Sequence, residues 1–250
     1  MIPLKSEKDL SKLKISGRIL AGVMQRLKER VKAGVSTLEL DTFAAECIKK
    51  EKVVSAFKGY RGFPGHICTS INEEVVHGIP GERILFDGDI ISIDAGINYE
   101  GYFSDAAVTV AVGRIDAKAK KLIEVAKDAL SEGIAKAREG NHISDIAYAV
   151  QTYVEKHGFS VVRQFVGHGI GIALHEEPEI PNFGRPHQGP LIKRGMVFAI
   201  EPMVNMGSWE CEILDNDWTA VTRDRRLSVH FEHTVAVTEK GPEILTRIYG

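Results

Sequence analysis

Apolar residues over the first thirty positions recur with the period of a helix. Leu10, Leu13, Leu20, Met24, Leu27 and Val31 fall on one face, as a 3.6-residue repeat requires. Ser6, with Asp9 three residues on, predicts the helix start, because a serine and an acid at that spacing satisfy each other's free amides. Gly34 predicts the stop. Ser36-Thr37-Leu38-Glu39 repeats the starting box and predicts a second helix to about Lys50. From Val53 to Gly81, glycine, proline and aromatics alternate, which predicts strand and loop. Residues 89–94 (DIISID) and 102–112 (YFSDAAVTVAV) predict two strands joined by a glycine-containing turn.

The pattern then restarts. Asp116 caps a predicted helix to about Arg138, closed by Gly140. Another is expected from about Ser144 to Lys156, stopped by Gly158, with strands near residues 160–166, 197–201 and 228–237. An offset of 106 puts Gly34 on Gly140, Leu40 on Ile146, Ala44 on Val150 and Ile48 on Val154. GDIISID (88–94) falls on GMVFAIE (195–201) at an offset of 107, placing Asp94 on Glu201. SDAAVTV (104–110) falls on FEHTVAV (231–237) at 127, placing Asp105 on Glu232. Amphipathic helices overlay easily. Two acids in apolar strands, in the same order in each half, do not. The expectation is one α/β (α+β) domain over residues 1–250, made of related halves (approximately 1–113 and 114–250), with acids from both meeting at the seam.

Composition narrows the classes of function. The chain is 44% hydrophobic and 26% charged, as soluble globular proteins are. A net charge of -2 gives no electrostatic reason to expect nucleic acid or a membrane as partner. The odd, scattered set Cys47, Cys68 and Cys211 argues against a disulfide framework or zinc finger, so a reducing cytoplasm is expected. The opening MIPLKSEKDLSKLKISGR is too charged for a signal peptide.

The acids carry the chemistry. One acid at the end of an apolar strand is ordinarily solvated. Four in two matching pairs point to a shared site. Burying unpaired charge is very costly, and two divalent ions would balance four carboxylates, with one or two histidines completing the set. Among nine histidines, His142, His157 and His187 lie in helix-end or loop contexts that favour solvent. His66 has no evident partner, and His230 and His233, flanking Glu232, favour packing or solvent over the site. His77, and the pair His168 and His175 in VGHGIGIALHEEPEIP, stay open between a chemical role and none.

INEEVVHGIP, SIDAGINYEGYFSDAAVTV, GHGIGIALHEEP, FAIEPMV and FEHTVAV, in this order and at these distances, closely resemble type I methionine aminopeptidases. The resemblance covers essentially the whole chain. It implies the pita-bread fold, with helices packed on a curved, mainly antiparallel sheet. It also implies removal of the initiator methionine from nascent proteins and peptides with a small second residue. Two divalent ions (Co, Mn, Fe or Zn) would be held by Asp94, Asp105, His168, Glu201 and Glu232, with Asp105 and Glu232 shared between them. That set leaves no ligand role for Glu176 and Glu177. A metal-activated water would be the nucleophile and Glu201 its base. His175 would bond the scissile carbonyl, and His77 would contact the amide nitrogen. The methionine pocket would comprise Phe57, Tyr60, Phe63, Cys68, Leu174 and Trp218. Phe57 stands where the family commonly has a small residue or cysteine, and Leu174 where it commonly has an aromatic. Asn72 and Ser228 mark a monovalent cation site in the family.

The resemblance further implies the short bacterial form, usually a monomer, and leaves docking on the ribosome open. The 31 residues from Glu201 to Glu232 are too few for the type II insertion. Because Ile2 is bulky, the protein is expected to keep its own Met1. Proline-directed relatives of the same fold are the nearest alternative, but they carry a further N-terminal domain for which this length leaves no room. A binding module that had lost its metals would lack the five ligands. A two-metal phosphatase or nuclease would want a basic patch that is missing from the pattern.

Overall fold

Helices form where the periodicity places them: α1 (Glu7–Arg30), α2 (Thr37–Lys50), α3 (Ala117–Lys136) and α4 (Ile143–Lys156). The computed structural model describes residues 2–247, so Met1, the subject of one expectation above, lies outside the described residues. Ser6 with Asp9, and Ser36 with Glu39, close the reciprocal boxes read from sequence. The Asp116 carboxylate accepts from the amides of Lys118 and Ala119. Boundaries differ by a few residues. α1 stops at Arg30 rather than at Gly34, whose φ of +90° instead serves the turn whose amide bonds Leu85. α4 starts one residue before Ser144, because Asp145 accepts from the His142 amide and caps it.

The helices cover one face of a nine-stranded antiparallel sheet. Its order is Val54–Ser55, Ile90–Tyr99, Tyr102–Ala111, Glu232–Thr238, Val197–Ile200, Gly167–Gly169 and Glu176–Ile180. Cys68–Ile71 and Gly241–Ile244 pair alongside. Strand residues alternate between faces. Ile91, Ile93, Ala95 and Ile97 pack with Leu20, Met24 and Leu27 of α1. Val235 and Val237 pack with Leu122 of α3 and Val150 of α4. Each such fully buried side chain contributes about 1.5–3 kcal/mol. The intervening residues, Asp94, Gly96, Glu232 and Thr234, therefore face away from the helices.

Two expectations need correction. The stretch 167–181, to which the sequence pattern assigns no strand, holds two. Gly167–Gly169 and Glu176–Ile180 are paired strands, with a register shift after His168. The predicted strand 228–237 is two strands. Ser228–His230 pairs with Met203–Asn205 in a second, three-stranded sheet, and Glu232–Thr238 joins the main one. The break at Phe231 lets His230 and Glu232 serve different sheets while both border the same cavity.

Candidate metal centre and substrate pocket

Strand register gathers the acids. Cys68 pairs with Asp94, Asp94 with Ala107, and Ala107 with Glu232, so these four lie in one row across the sheet. Continuing the His233–Ile200 register by one residue brings Glu201 beside Glu232. In the next row Gly96 pairs with Asp105, and Thr234, Ala199 and His168 pair in turn. The Thr234 hydroxyl accepts from the Asp105 amide at 2.9 Å and donates to the Asp105 carbonyl at 2.8 Å, joining the rows' two halves. Ala107, Ala199 and Gly96 are small, which leaves room above the sheet for whatever the acids hold.

Ligand atoms of Asp105, His168 and Glu232 lie within 4.8 Å of one another. His168 Nε2 is 3.6 Å from Glu201 Oε1. His168 Nδ1 donates to the Gly169 carbonyl at 2.9 Å, which leaves Nε2 as the free lone pair, the usual arrangement of a metal-binding imidazole. All five predicted ligands border a single cavity of about 300 Å³.

The electrostatics fit a cation-binding centre. Burial and the neighbouring carboxylates Asp105 and Glu201 push Asp94 well above the ordinary range. Burial pushes Asp105 up to about 7. Glu201 and Glu232 are raised for the same reasons, burial first and Asp105 second. Burial holds His168 down to about 3, a neutral ligand at working pH. Asp94 Oδ1 and Glu232 Oε1 are buried without a hydrogen-bond partner among the described residues. Buried polar atoms are ordinarily satisfied, so these acceptors and their excess negative charge match divalent cations. A donor set of carboxylates with one imidazole suits Mn, Fe, Co or Zn.

The pocket residues converge from the other side. Phe57, Phe63, Cys68 and Leu174 form one buried cluster, with Tyr60 and Trp218 packed against it. All six line the same cavity. Phe63 meets Trp218 edge to face at 5.0 Å. A Cβ on Gly96 would stand 2.8 Å from the Phe57 ring, so the glycine admits the bulky residue at 57. Burial and the charges of Asp94, Asp105 and Glu232 raise the Cys68 thiol well above its ordinary value. Cys68 is thus an uncharged wall rather than a nucleophile. His77, held down to about 4 by burial and then by His175, stacks edge-on to Phe165 and Trp218. His175 lies 4.1 Å from His168, ring centre to ring centre, and its Nδ1 is 2.9 Å from the Tyr60 hydroxyl.

Some residues were missed or misjudged from sequence. His230, for which the sequence favours packing or solvent over the site, is buried with its Nε2 3.6 Å from Glu201 Oε2. Phe165, Gln164 and Met203 also line the cavity. Only adjacency to the His168 and Glu201 motifs could have flagged them. His66 has a partner after all: Asp41 accepts from its amide and meets its Nδ1 at 3.0 Å. His187 is 81% exposed, as its loop context predicts, and both it and the half-buried His142 approach Asp145. His233 does pack inward, with Nδ1 on the Thr246 hydroxyl at 3.0 Å. Glu176 is bound to the Lys5 ammonium and accepts from the Ile172 and Ala173 amides, which fastens the loop that presents Leu174 and His175. Ser228 donates its amide to the Asn72 carbonyl at 2.8 Å, so the two residues of the expected cation site adjoin.

An imidazole among three buried carboxylates and the nearly buried Glu201, beside an apolar pocket on an α/β frame, defines the class as a metal-dependent hydrolase. The chain belongs to metallopeptidase family M24, whose model matches residues 11–239. It is 52% identical over 248 residues to methionine aminopeptidase 1 of Bacillus subtilis, covering 99% of this chain and 100% of that one. It is 51% identical to a methionine aminopeptidase of Clostridium perfringens, at 99% and 100% coverage. The crystal structure of methionine aminopeptidase from Rickettsia prowazekii superposes with a TM-score of 0.98 at 41% identity, over 99% of this chain and 100% of that chain. The Xaa-Pro dipeptidase of Bacillus anthracis shares the fold alone: TM-score 0.78, 22% identity, 98% of this chain and 62% of that one. The pita-bread architecture inferred from sequence is therefore the fold of this chain. No described helix is long and apolar enough to cross a membrane.

Proposed function

We propose that this chain is one catalytic domain that removes the N-terminal methionine from peptides and nascent proteins, acting as a monomer in the cytoplasm. The observation that carries the proposal is the row arrangement of Asp94, Asp105, His168, Glu201 and Glu232 beside a pocket lined by Phe63, Cys68 and Trp218. Those five residues would hold two divalent ions. When bound, the ions supply Lewis acidity that lowers the pKa of a water and polarises the scissile carbonyl.

The chain's own groups do the rest. Glu201 carries one oxygen toward His168 and the other toward His230, and takes the proton of the attacking water. His175 Nδ1 lies 2.9 Å from the Tyr60 hydroxyl; with that hydroxyl as the donor, the proton of the neutral ring sits on Nε2. His175 then donates to the carbonyl oxygen as charge develops on it. His77, neutral at working pH because of its depressed pKa, contacts the scissile amide nitrogen. Phe57, Tyr60, Phe63, Leu174 and Trp218 receive the methionine side chain, whose thioether favours aromatic edges. Phe57, over Gly96, adds to the cavity lining the bulk that Leu174 lacks. Asn72 and Ser228 are assigned to a monovalent cation.

The test is hydrolysis of Met-Ala-Ser, Met-Ile-Ser and Xaa-Pro peptides by metal-stripped and metal-restored enzyme. Restored enzyme should cut Met-Ala-Ser and spare the others. If it leaves Met-Ala-Ser intact, the assignment is wrong.

A further inference from the structure

A second constellation of metal-ligating side chains lies apart from the catalytic cavity, at the start of α4. Ligand atoms of His142, Asp145 and His187 all lie within 4.8 Å of one another. His187 Nδ1 is 3.4 Å from Asp145 Oδ1, and His142 Nδ1 is 3.9 Å from Asp145 Oδ2. None of these residues borders the catalytic cavity.

Two segments 45 residues apart (187 − 142) are held together there by backbone. The Ile143 amide donates to the Pro190 carbonyl at 3.0 Å, and the Gln188 amide to the Ser144 hydroxyl at 2.7 Å. The His187 amide donates to Asp145 Oδ1 at 2.8 Å. His187 itself sits at φ +60°, a left-handed conformation that costs a non-glycine residue free energy. That turn swings its ring to the carboxylate. The two rings stand 6.3 Å apart at 80°.

We propose that His142, Asp145 and His187 form a second, surface site for a divalent transition ion, with solvent filling the remaining positions. An ion about 2.0–2.2 Å from each of its tetrahedral donors holds them roughly 3.3–3.6 Å apart. His187 Nδ1 meets this with Asp145 Oδ1, His142 Nδ1 lies 3.9 Å from the other oxygen, and the three donors as a set fall within 4.8 Å, so an ion would draw them together by about 1 Å. The positive end of the α4 dipole opposes a cation, and the Asp145 carboxylate offsets it. The site therefore favours ions that bond imidazole nitrogen strongly, Zn²⁺, Ni²⁺ or Cu²⁺, and rejects Mg²⁺ and Ca²⁺. An ion bound there would staple the loop around His187 to α4.

The experiment counts Zn²⁺ by equilibrium dialysis and elemental analysis on the intact enzyme and on His142→Ala/His187→Ala. The variant should hold one equivalent fewer, with Met-Ala-Ser hydrolysis by the metal-restored protein unchanged. Equal stoichiometry in the two proteins overturns the site. His187→Gln, which changes an exposed side chain only, covers the case where the double variant misfolds. There, retention of the extra equivalent with unaltered affinity overturns the proposal, and a loss of affinity of about tenfold or more supports it. Zn²⁺-dependent shifts of the His187 imidazole resonances provide a readout independent of activity.

Discussion

Replacing Lys5 by methionine should damage catalysis from outside the catalytic cavity. The Lys5 ammonium and the Glu176 carboxylate are 5% and 7% exposed, so neither charge has water as an alternative partner. Removing one member of a buried pair strands the other, at about 3–5 kcal/mol. At about 2–4 °C per kcal/mol for a chain of this size, the melting temperature should fall by roughly 6–20 °C. The effect should reach His175, because Glu176 also binds the amides of Ile172 and Ala173 just ahead of it. Gly171 belongs to the same lock, since a Cβ there would lie 2.2 Å from Lys5 Cε. A displacement of His175 by about 1 Å costs on the order of 100-fold in rate. The assay pairs urea unfolding with kcat on Met-Ala-Ser and with bound-metal content. Lys5→Met should lose stability and kcat while keeping its metal. Lys5→Met/Glu176→Gln should recover most of the stability, because no charge is stranded and the amide oxygen still accepts from Ile172 and Ala173. The exposed pair Lys12–Glu100, at 33% and 58% exposure, provides the control, with Lys12→Met expected to leave stability nearly unchanged because solvent screens the pair. If Lys5→Met costs no more than Lys12→Met, the buried-lock reasoning is refuted.

Glu201→Gln should cut kcat by about 10²–10⁴-fold by removing the base and also weaken metal binding. His175→Ala should lower kcat by about 10²–10³-fold with metal content unchanged, and loss of metal in that variant would show the histidines to be sorted wrongly. The raised carboxylates predict a pH effect on metal-stripped enzyme. Their folded pKa values exceed the unfolded ones, so the folded state holds protons more tightly. The stability they contribute is complete below about pH 4 and is lost as pH rises toward and past the Asp105 value of about 7. The gap in melting temperature between loaded and stripped enzyme should therefore widen from pH 4 to 8. A constant gap would contradict the cluster's electrostatics. Intact mass after cytoplasmic expression should include Met1, since Ile2 is bulky. A product lacking it would count against the small-second-residue preference.

Local chemistry made part of this protein legible before any coordinates. Helix period and capping boxes are short-range, so α1 to α4 were readable to within a few residues. The acids were readable because an acid inside an apolar strand violates the pattern around it, and the chain does so four times in matched order. Family resemblance then sorted His168 from His175, which spacing alone had left open.

Tertiary structure decided what depends on pairing between distant segments. The strand break at Phe231 cannot be read from a continuous apolar run, because it arises when residues 228–230 find Met203–Asn205 instead of the main sheet. That pairing buries His230 beside Glu201. Glu176, left without a role by the five-ligand set, found its partner only when the fold brought Lys5 to it across 171 residues. His66 lacked a partner until α2 supplied Asp41. A sequence records which groups are available along one line. Which of them meet is fixed by long-range register and burial, and in this protein that separates the proposed ligand set from the residues that hold its surroundings in place.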